Sequence, residues 1–389
     1  MIVKTFKIVC ALILLMSLNA CSTVSGWFKD DVYEVPPTEL TEFTQEFEPS
    51  IAWSTDTGGS NDIYSSLDPW LQGDAIIAID YEGEVNSYNA ETGKRQWRVS
   101  LDVPVTTGVG GGEGLILVGT KKGEVLALDA SNGDLLWNAK LSSEVLAPPK
   151  AAQGIVVAST SDGRMTGLSA KDGQVLWNYQ RTVPLLSLRG ASAPVIADDK
   201  VISGYANGKV VALSIIDGKV VWEKSVAIPR GRTELDRLVD IDADPVVINN
   251  TVYVVAYNGR IAALSLDDGS ILWAKEMSSR SGLDVSVADA AVYVSDEEGN
   301  VWALQDGSGD SLWRQTRLLR RNPTAPVVVG NNVVVGDLEG YVHWISRQDG
   351  RFTARVNITD AAIRSKPVVS NNLVYVSAAD GTLTAFRIQ

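Results

Sequence analysis

The feature that most constrains this chain is a phrase that returns in fixed phase. One copy reads Asn258-Gly259-Arg260-Ile261-Ala262-Ala263-Leu264-Ser265-Leu266-Asp267-Asp268-Gly269-Ser270-Ile271-Leu272-Trp273. Its first glycine recurs as Gly83, Gly123, Gly163, Gly208, Gly259, Gly299, Gly340 and Gly381, so successive copies start 40–51 residues apart. An apolar or aromatic residue follows five positions later, from Tyr88 to Phe386, and a second glycine at ten, from Gly93 to Gly350. Tryptophan stands at fourteen in Trp97, Trp137, Trp177, Trp222, Trp273 and Trp313, while Ala354 takes that place in the seventh copy. Proline lies fourteen residues before the first glycine in six of the eight copies. Self-similarity at this period marks an array of like supersecondary units.

Each unit reads as four short strands. Proline opens the first strand, where a missing N–H is tolerated. A run such as Thr251–Ala256 forms the second. The Asn-Gly or Asp-Gly pair turns the hairpin because glycine accepts positive φ. The second glycine turns the third strand into a fourth that carries the tryptophan. The strands are almost continuously apolar, which implies burial on both faces. A four-stranded unit cannot achieve that alone, and a closed ring supplies every unit with neighbours. The expected fold is therefore all-β: an eight-bladed β-propeller of four-stranded antiparallel blades. The last copy ends three residues after Phe386, before any fourth strand, whereas Ile51-Ala52-Trp53 has no strands before it. Ile51–Trp53 is thus expected to be the missing fourth strand of the last blade and to close the ring. Trp53 then joins the tryptophan series. Each such indole buries about 150–250 Å² between blades, and Ala354 is expected to leave a looser contact.

Irregularity in a repeat is where function is to be sought. From the tryptophan position to the next proline position the spacing is 12 or 13 residues in five connections. It is 17 after Trp177 and 23 after Trp222. Both long connections join a fourth strand to the next first strand, so they emerge side by side on one face. The first, Gln180–Ala193, contains Leu185-Leu186-Ser187-Leu188-Arg189-Gly190. The second, Ser225–Asp244, contains Arg230, Arg232, Arg237, Leu238 and then Asp240-Ile241-Asp242-Ala243-Asp244. An apolar tip with arginine beside a carboxylate ladder suits a protein interface with an apolar centre and an ionic rim. The alternative is that the leucines plug the loop base and the charges are solvated.

The N-terminus reads as an address. Lys4 and Lys7 precede apolar Ile8–Leu15, and Leu18-Asn19-Ala20-Cys21 follows. The apolar stretch falls short of the roughly 20 residues that span a bilayer, so residues 1–20 read as a signal peptide. The Leu-x-Ala-Cys ending resembles a bacterial lipobox, which would make Cys21 an acylated first residue and a lasting anchor. Residues 21–50 carry Asp30, Asp31, Glu34, Glu39, Glu42, Glu46 and Glu48 against the single basic Lys29, with Pro36-Pro37 among them. They read as an acidic, self-repelling spacer before a propeller spanning residues 51–389.

Composition narrows the chemistry. The 389 residues carry a net charge of −13, which disfavours nucleic-acid binding. One histidine, His343, and two cysteines, Cys10 and Cys21, exclude a disulfide scaffold and a zinc site of the usual Cys/His type. Asp240-x-Asp242-x-Asp244 begins like a calcium loop, but Pro245 stands where glycine is required and the closing glutamate is missing. Gly108–Gly114 is glycine-rich but lacks the Gly-Lys-Ser/Thr of a phosphate cradle, and reads as a flexible loop beside a strand. His343 reads as a packed or surface residue. Arg317, Arg320 and Arg321 read as a solvated loop or a secondary contact. No catalytic residue, cofactor site or metal site is expected.

The phrase Ala127-Leu128-Asp129-Ala130-Ser131-Asn132-Gly133-Asp134-Leu135-Leu136-Trp137 resembles the tryptophan-docked repeats of quinoprotein dehydrogenases. Those enzymes are eight-bladed, use pyrroloquinoline quinone with calcium, and commonly place a vicinal disulfide over the cofactor. A mature chain whose one cysteine is lipidated cannot make that disulfide, so this resemblance keeps the architecture and loses the chemistry; a periplasmic dehydrogenase of this type, intact or degenerate, is the rival reading. Lipobox, spacer, eight blades, Leu186-Ser187-Leu188-Arg189-Gly190 and Asp240-Ile241-Asp242 together resemble the BamB family across essentially the whole chain. These are lipoprotein subunits of the outer-membrane β-barrel assembly machinery. The resemblance implies a non-enzymatic scaffold, anchored in the outer membrane and facing the periplasm. It implies that Leu186, Leu188, Arg189, Asp240 and Asp242 dock on the polypeptide-transport-associated (POTRA) domains of BamA. It further implies assistance to unfolded barrel precursors, with direct contact left open.

Overall fold

The computed structural model describes residues 36–59, 67–181, 192–229, 232–233, 237–370 and 372–388. The compact unit built on the repeats begins at Thr38 and runs to Gln389. Blade one, for example, holds Trp70–Gln72, Ala75–Ile79, Glu84–Asn89 and Arg95–Ser100, paired in that order. Its second strand is buried along its whole length, as are those of blades two and three. Continuous apolar runs thus lie between stacked sheets. Blade eight takes its outer strand, Ile51–Asp56, from the N-terminus, paired antiparallel with Thr382–Arg387. One apolar cluster then joins Ile76, Ala78 and Tyr88 of blade one to Leu373, Tyr375 and Leu383 of blade eight.

The phased positions are one docking device seen in pieces. Trp137 donates its indole N–H to the Ala170 carbonyl of the next blade, at 2.9 Å. Trp222 donates to Leu266 at 2.9 Å, and Trp53 to Ala90 at 2.9 Å. Trp97, Trp177, Trp273 and Trp313 make the same bond to Ala130, Ile215, Asp306 and Arg347. Each accepting carbonyl lies three residues before the second glycine of the receiving blade, and the indole lies flat against that glycine. A Cβ at Gly173 would come within 2.6 Å of Trp137, and one at Gly269 within 2.6 Å of Trp222. Glycine is needed there both for space and for φ near +70°. In the blade-five turn between second and third strands the left-handed residue is Asn258 (φ 51) rather than its glycine neighbour.

The looser contact expected at Ala354 is not there. Within each blade the tryptophan pairs across the sheet with a small residue, as in Ala212 with Trp222 and Ala385 with Trp53. Blade seven inverts the pair: Trp344 on the third strand faces Ala354 on the fourth. Both are buried. Trp344 packs edge-on against Phe386 at 5.1 Å and against Phe47 at 6.3 Å. The inversion has a topological cause. The indole seats on the turn between third and fourth strands of the next blade. Blade eight has no such turn, because its fourth strand arrives from the other end of the chain.

Three further expectations are corrected. Gly110–Gly112 is not a loop but the inner strand of blade two, bridged in parallel to Lys150 of blade three. A Cβ at Gly110 would collide with the Pro149 carbonyl, so the absence of side chains lets the two inner strands meet. The spacer expected to run to residue 50 is packed from Thr38 onward. Thr38 N–H donates to Leu319 O at 3.2 Å, and Glu46 N–H to Thr353 O at 2.8 Å. Leu40, Phe43 and Phe47 join the cores of blades six to eight. Finally, Arg321 is buried rather than solvated. It donates to Asp337 at 2.7 Å and to the Thr38 carbonyl at 2.9 Å, and pairs with Glu339. His343 is enclosed in the same network, 2.9 Å from Asp337. Burial holds its pKa below the usual imidazole value despite that carboxylate. Spaced aromatics and paired charges let the acidic segment pack on the blades with Leu40, Phe43 and Phe47 half-buried, where charge counting alone predicts repulsion.

Candidate partner interface

In an antiparallel blade the connections from fourth to first strands share a face with the turns between second and third strands. The two long connections lie on that face, flanking blade four (Val195–Ala197, Lys200–Tyr205, Lys209–Ser214, Val220–Ser225). The second connection is tied down at both ends. The Arg260 guanidinium donates to Val226 O at 2.8 Å and Asn258 Nδ2 to Leu238 O at 3.0 Å. Asp240 forms an isolated antiparallel bridge with Tyr257. Leu238, Val239, Ile241 and Ala243 are buried, so the leucine of this loop does plug its base. Ile228, Arg232 and Arg237 remain exposed.

The carboxylate ladder divides into two environments. Asp240 is buried and Asp242 is half-buried, with a hydrogen bond between their side chains. Desolvation pushes Asp242 up to about 6, against the pull of Arg280 and of that hydrogen bond. Asp244 accepts the Ala193 N–H at 2.6 Å, which joins the second connection to the end of the first. Its carboxyl is pushed up to about 6 by the protein packed around it, although it still meets solvent. Asp242 and the more exposed Asp244 are therefore the ladder residues that combine solvent contact with a raised pKa, while Asp240 is the buried member. Leu186, Leu188 and Arg189 lie outside the described residues, as does Cys21.

Sequence reasoning missed a cluster beside these loops. Three residues before the first glycine, most blades carry a short polar residue that caps the turn between second and third strands. Asp80 accepts the Glu84 N–H at 2.8 Å, Thr120 that of Glu124 at 3.1 Å, and Asp296 that of Asn300 at 2.8 Å. Blade four carries Tyr205 there. Its hydroxyl is buried without a hydrogen-bond partner, and burial raises its pKa. Tyr179 packs on its ring at 6.4 Å and the Arg181 guanidinium at 5.7 Å. Arg181 in turn grips Glu223 with two hydrogen bonds, at 2.6 and 3.0 Å, linking blades three and four at the root of the first connection. The break from Asp or Thr to Tyr at a phased position was the available signal.

Among the described residues no three His, Cys, Asp or Glu side chains are placed to hold a metal ion. The arrangement offers apolar surface, arginines and a poised carboxylate on a rigid frame, which is recognition chemistry.

Comparison with known proteins places the chain. The family model described as outer membrane protein assembly factor BamB matches residues 81–315 and 303–389. The protein of that name from Pseudomonas aeruginosa is 50% identical over 367 residues, covering 94% of this chain and 96% of the relative. The crystal structure of BamB from Moraxella catarrhalis superposes with a TM-score of 0.80 at 31% identity, over 87% of this chain and all of that one. Quinohemoprotein alcohol dehydrogenase from Comamonas testosteroni, at 14% identity and a TM-score of 0.69 over 87% of this chain and 76% of its own, shares the fold alone. Eight blades with inter-blade indoles, two enlarged neighbouring connections and near full-length identity agree: the chain belongs to the BamB family of outer membrane protein assembly factors.

Proposed function

We propose that this chain is a scaffold subunit of the outer-membrane β-barrel assembly machinery, working by binding rather than by bond chemistry. Residues 1–20 direct export, Cys21 carries the acyl anchor, and the disc faces the periplasm. The two long connections grip the POTRA domains of BamA, with Leu186, Leu188 and Arg189 as the apolar and cationic tip and Asp242, held by Asp240, as the anionic partner. One observation carries this reading. The two longest connections of the repeat are consecutive in the chain, and the Ala193–Asp244 hydrogen bond joins their described ends. Binding elements held on a rigid frame lose little entropy on association. The anchor confines both partners to one surface, where effective concentrations approach millimolar, so a moderate contact suffices.

The test is recovery of purified BamA POTRA domains on the immobilised protein. Arg189→Glu and Asp242→Ala are each expected to weaken binding at least tenfold, about 1.4 kcal/mol, with unfolding midpoints unchanged. Wild-type recovery by both variants would overturn the assignment. Cys21→Ala is expected to move the protein from the membrane to the soluble periplasmic fraction.

A further inference from the structure

The fourth strands are the outer edges of the blades, and the chain treats them in three ways. In blade seven (Phe352–Asn357) the edge is covered by the chain's own segment 38–48. Phe43 lies 5.5 Å from Phe352, Glu46 N–H donates to Thr353 O, and Gln45 Oε1 accepts the Arg355 N–H. Phe352 is left only 6% exposed. In blade one the corresponding two positions are Arg95 and Gln96, the charged treatment by which open edges are normally protected. In blades two, three and four they are Leu135 and Leu136, Val175 and Leu176, and Val220 and Val221, each between 47% and 55% exposed. No described strand pairs beyond these edges. A register shift at the start of each fourth strand, as between Ala127 and Leu128, sets two consecutive side chains outward there. Blade one shows that the fold does not need them to be apolar.

We propose that the outer edges of blades two to four bind extended, unfolded polypeptide segments carrying spaced apolar or aromatic side chains. The occupant's chemistry is that of segment 38–48: an extended backbone offering N–H groups to the edge, with Leu40, Phe43 and Phe47 supplying rings and methyls. Three such edges in succession give several weak sites along one arc of the disc. The pairs sit where the fourth strand begins, and the long connections leave from where it ends. The apolar pairs and the long connections thus lie at opposite ends of the fourth strands. The inference does not rest on the partner assignment above.

The probe is a fluorescent twelve-residue peptide alternating threonine with phenylalanine or leucine, read by anisotropy against the full-length chain. The variant gives all three edges the blade-one pair: Leu135→Arg, Leu136→Gln, Val175→Arg, Leu176→Gln, Val220→Arg and Val221→Gln. The expected result is at least a tenfold loss of peptide affinity with POTRA binding unchanged. Equal affinity, no binding by the wild type at millimolar peptide, or parallel loss of POTRA binding would overturn the proposal. So would wild-type self-association in sedimentation that the same changes abolish, because the edges would then belong to a second copy. Should that variant fold poorly, Leu136→Gln with Leu176→Gln and Val221→Gln is expected to lose about threefold, and no change would count equally against it.

Discussion

The junction between blades four and five and that between blades seven and eight solve one packing problem differently. At the first, Trp222 reaches across to Leu266 and Gly269, and Val239 and Ile241 of the long connection complete the cluster. At the second, the fourth-strand residue is Ala354. Trp344 fills the space from the third strand, and Phe47 closes the cluster from outside the repeat. Both junctions are buried, and both rest on one indole facing one alanine. The inter-blade seal is thus a volume requirement, while the position of the indole follows from whether the next blade has a turn to receive it. The second solution also recruits the N-terminal segment, so a junction lacking its docking indole fixes a stretch of chain that composition alone would leave solvated.

The comparison breaks most directly at Trp222. Trp222→Ala is expected to cost about 3–5 kcal/mol in equilibrium denaturation, because no neighbour can collapse into the space. A loss below 1 kcal/mol would show that the seal does not depend on the indole. Restoring the repeat at the other junction is expected to harm it. Ala354→Trp should destabilise by about 1–3 kcal/mol through overpacking against Trp344, since no receiving turn exists; a stabilised variant would refute the topological account. Phe47→Ala sharpens the contrast. It should cost about 1–2 kcal/mol of buried apolar surface and speed amide exchange in Tyr341–Asn357 while leaving blades two to five unchanged.

The smallest expected effect is a pH dependence at the first junction. Asp242 sits near 6 in the folded chain against 3.8 for an ordinary aspartate. Between about pH 4 and 6 the folded state holds the proton more tightly than the unfolded state. Its contribution to stability is therefore greatest below pH 4, falls as pH rises through 6, and stays at its minimum above. Solvent screening of a half-exposed group limits the change to about 1 kcal/mol or less. Asp242→Asn is expected to flatten this part of the profile and to raise stability slightly at pH 7. An unchanged slope between pH 4.5 and 7 would contradict the charge state assigned to it.

Much of the fold was legible because each phased residue has one local job. Glycines at turns, prolines at strand starts and a lone Ile51-Ala52-Trp53 without preceding strands are readable in isolation. The candidate interface was legible only as loop length, since spacing shows where a chain bulges but not which side chains turn inward. Asp240 and Asp242 look alike in sequence, yet one is buried and the other half-buried. Tyr205 could have been noticed as a break in phase, but its orphaned hydroxyl depends on Tyr179 and Arg181 from the neighbouring blade.

The amino-acid order by itself determined the number of blades, the strand that completes the last one, and the two places where the repeat is stretched most, because these follow from periodicity and chain connectivity. Only the tertiary structure decided that Trp344 replaces the missing indole, that Arg321 and Phe43 fasten the acidic segment to blade seven, and which carboxylate faces outward. Those outcomes are set by contacts between residues up to hundreds of positions apart, such as Arg321 with Thr38. There the burial of a charge or a ring depends on what the rest of the chain brings against it.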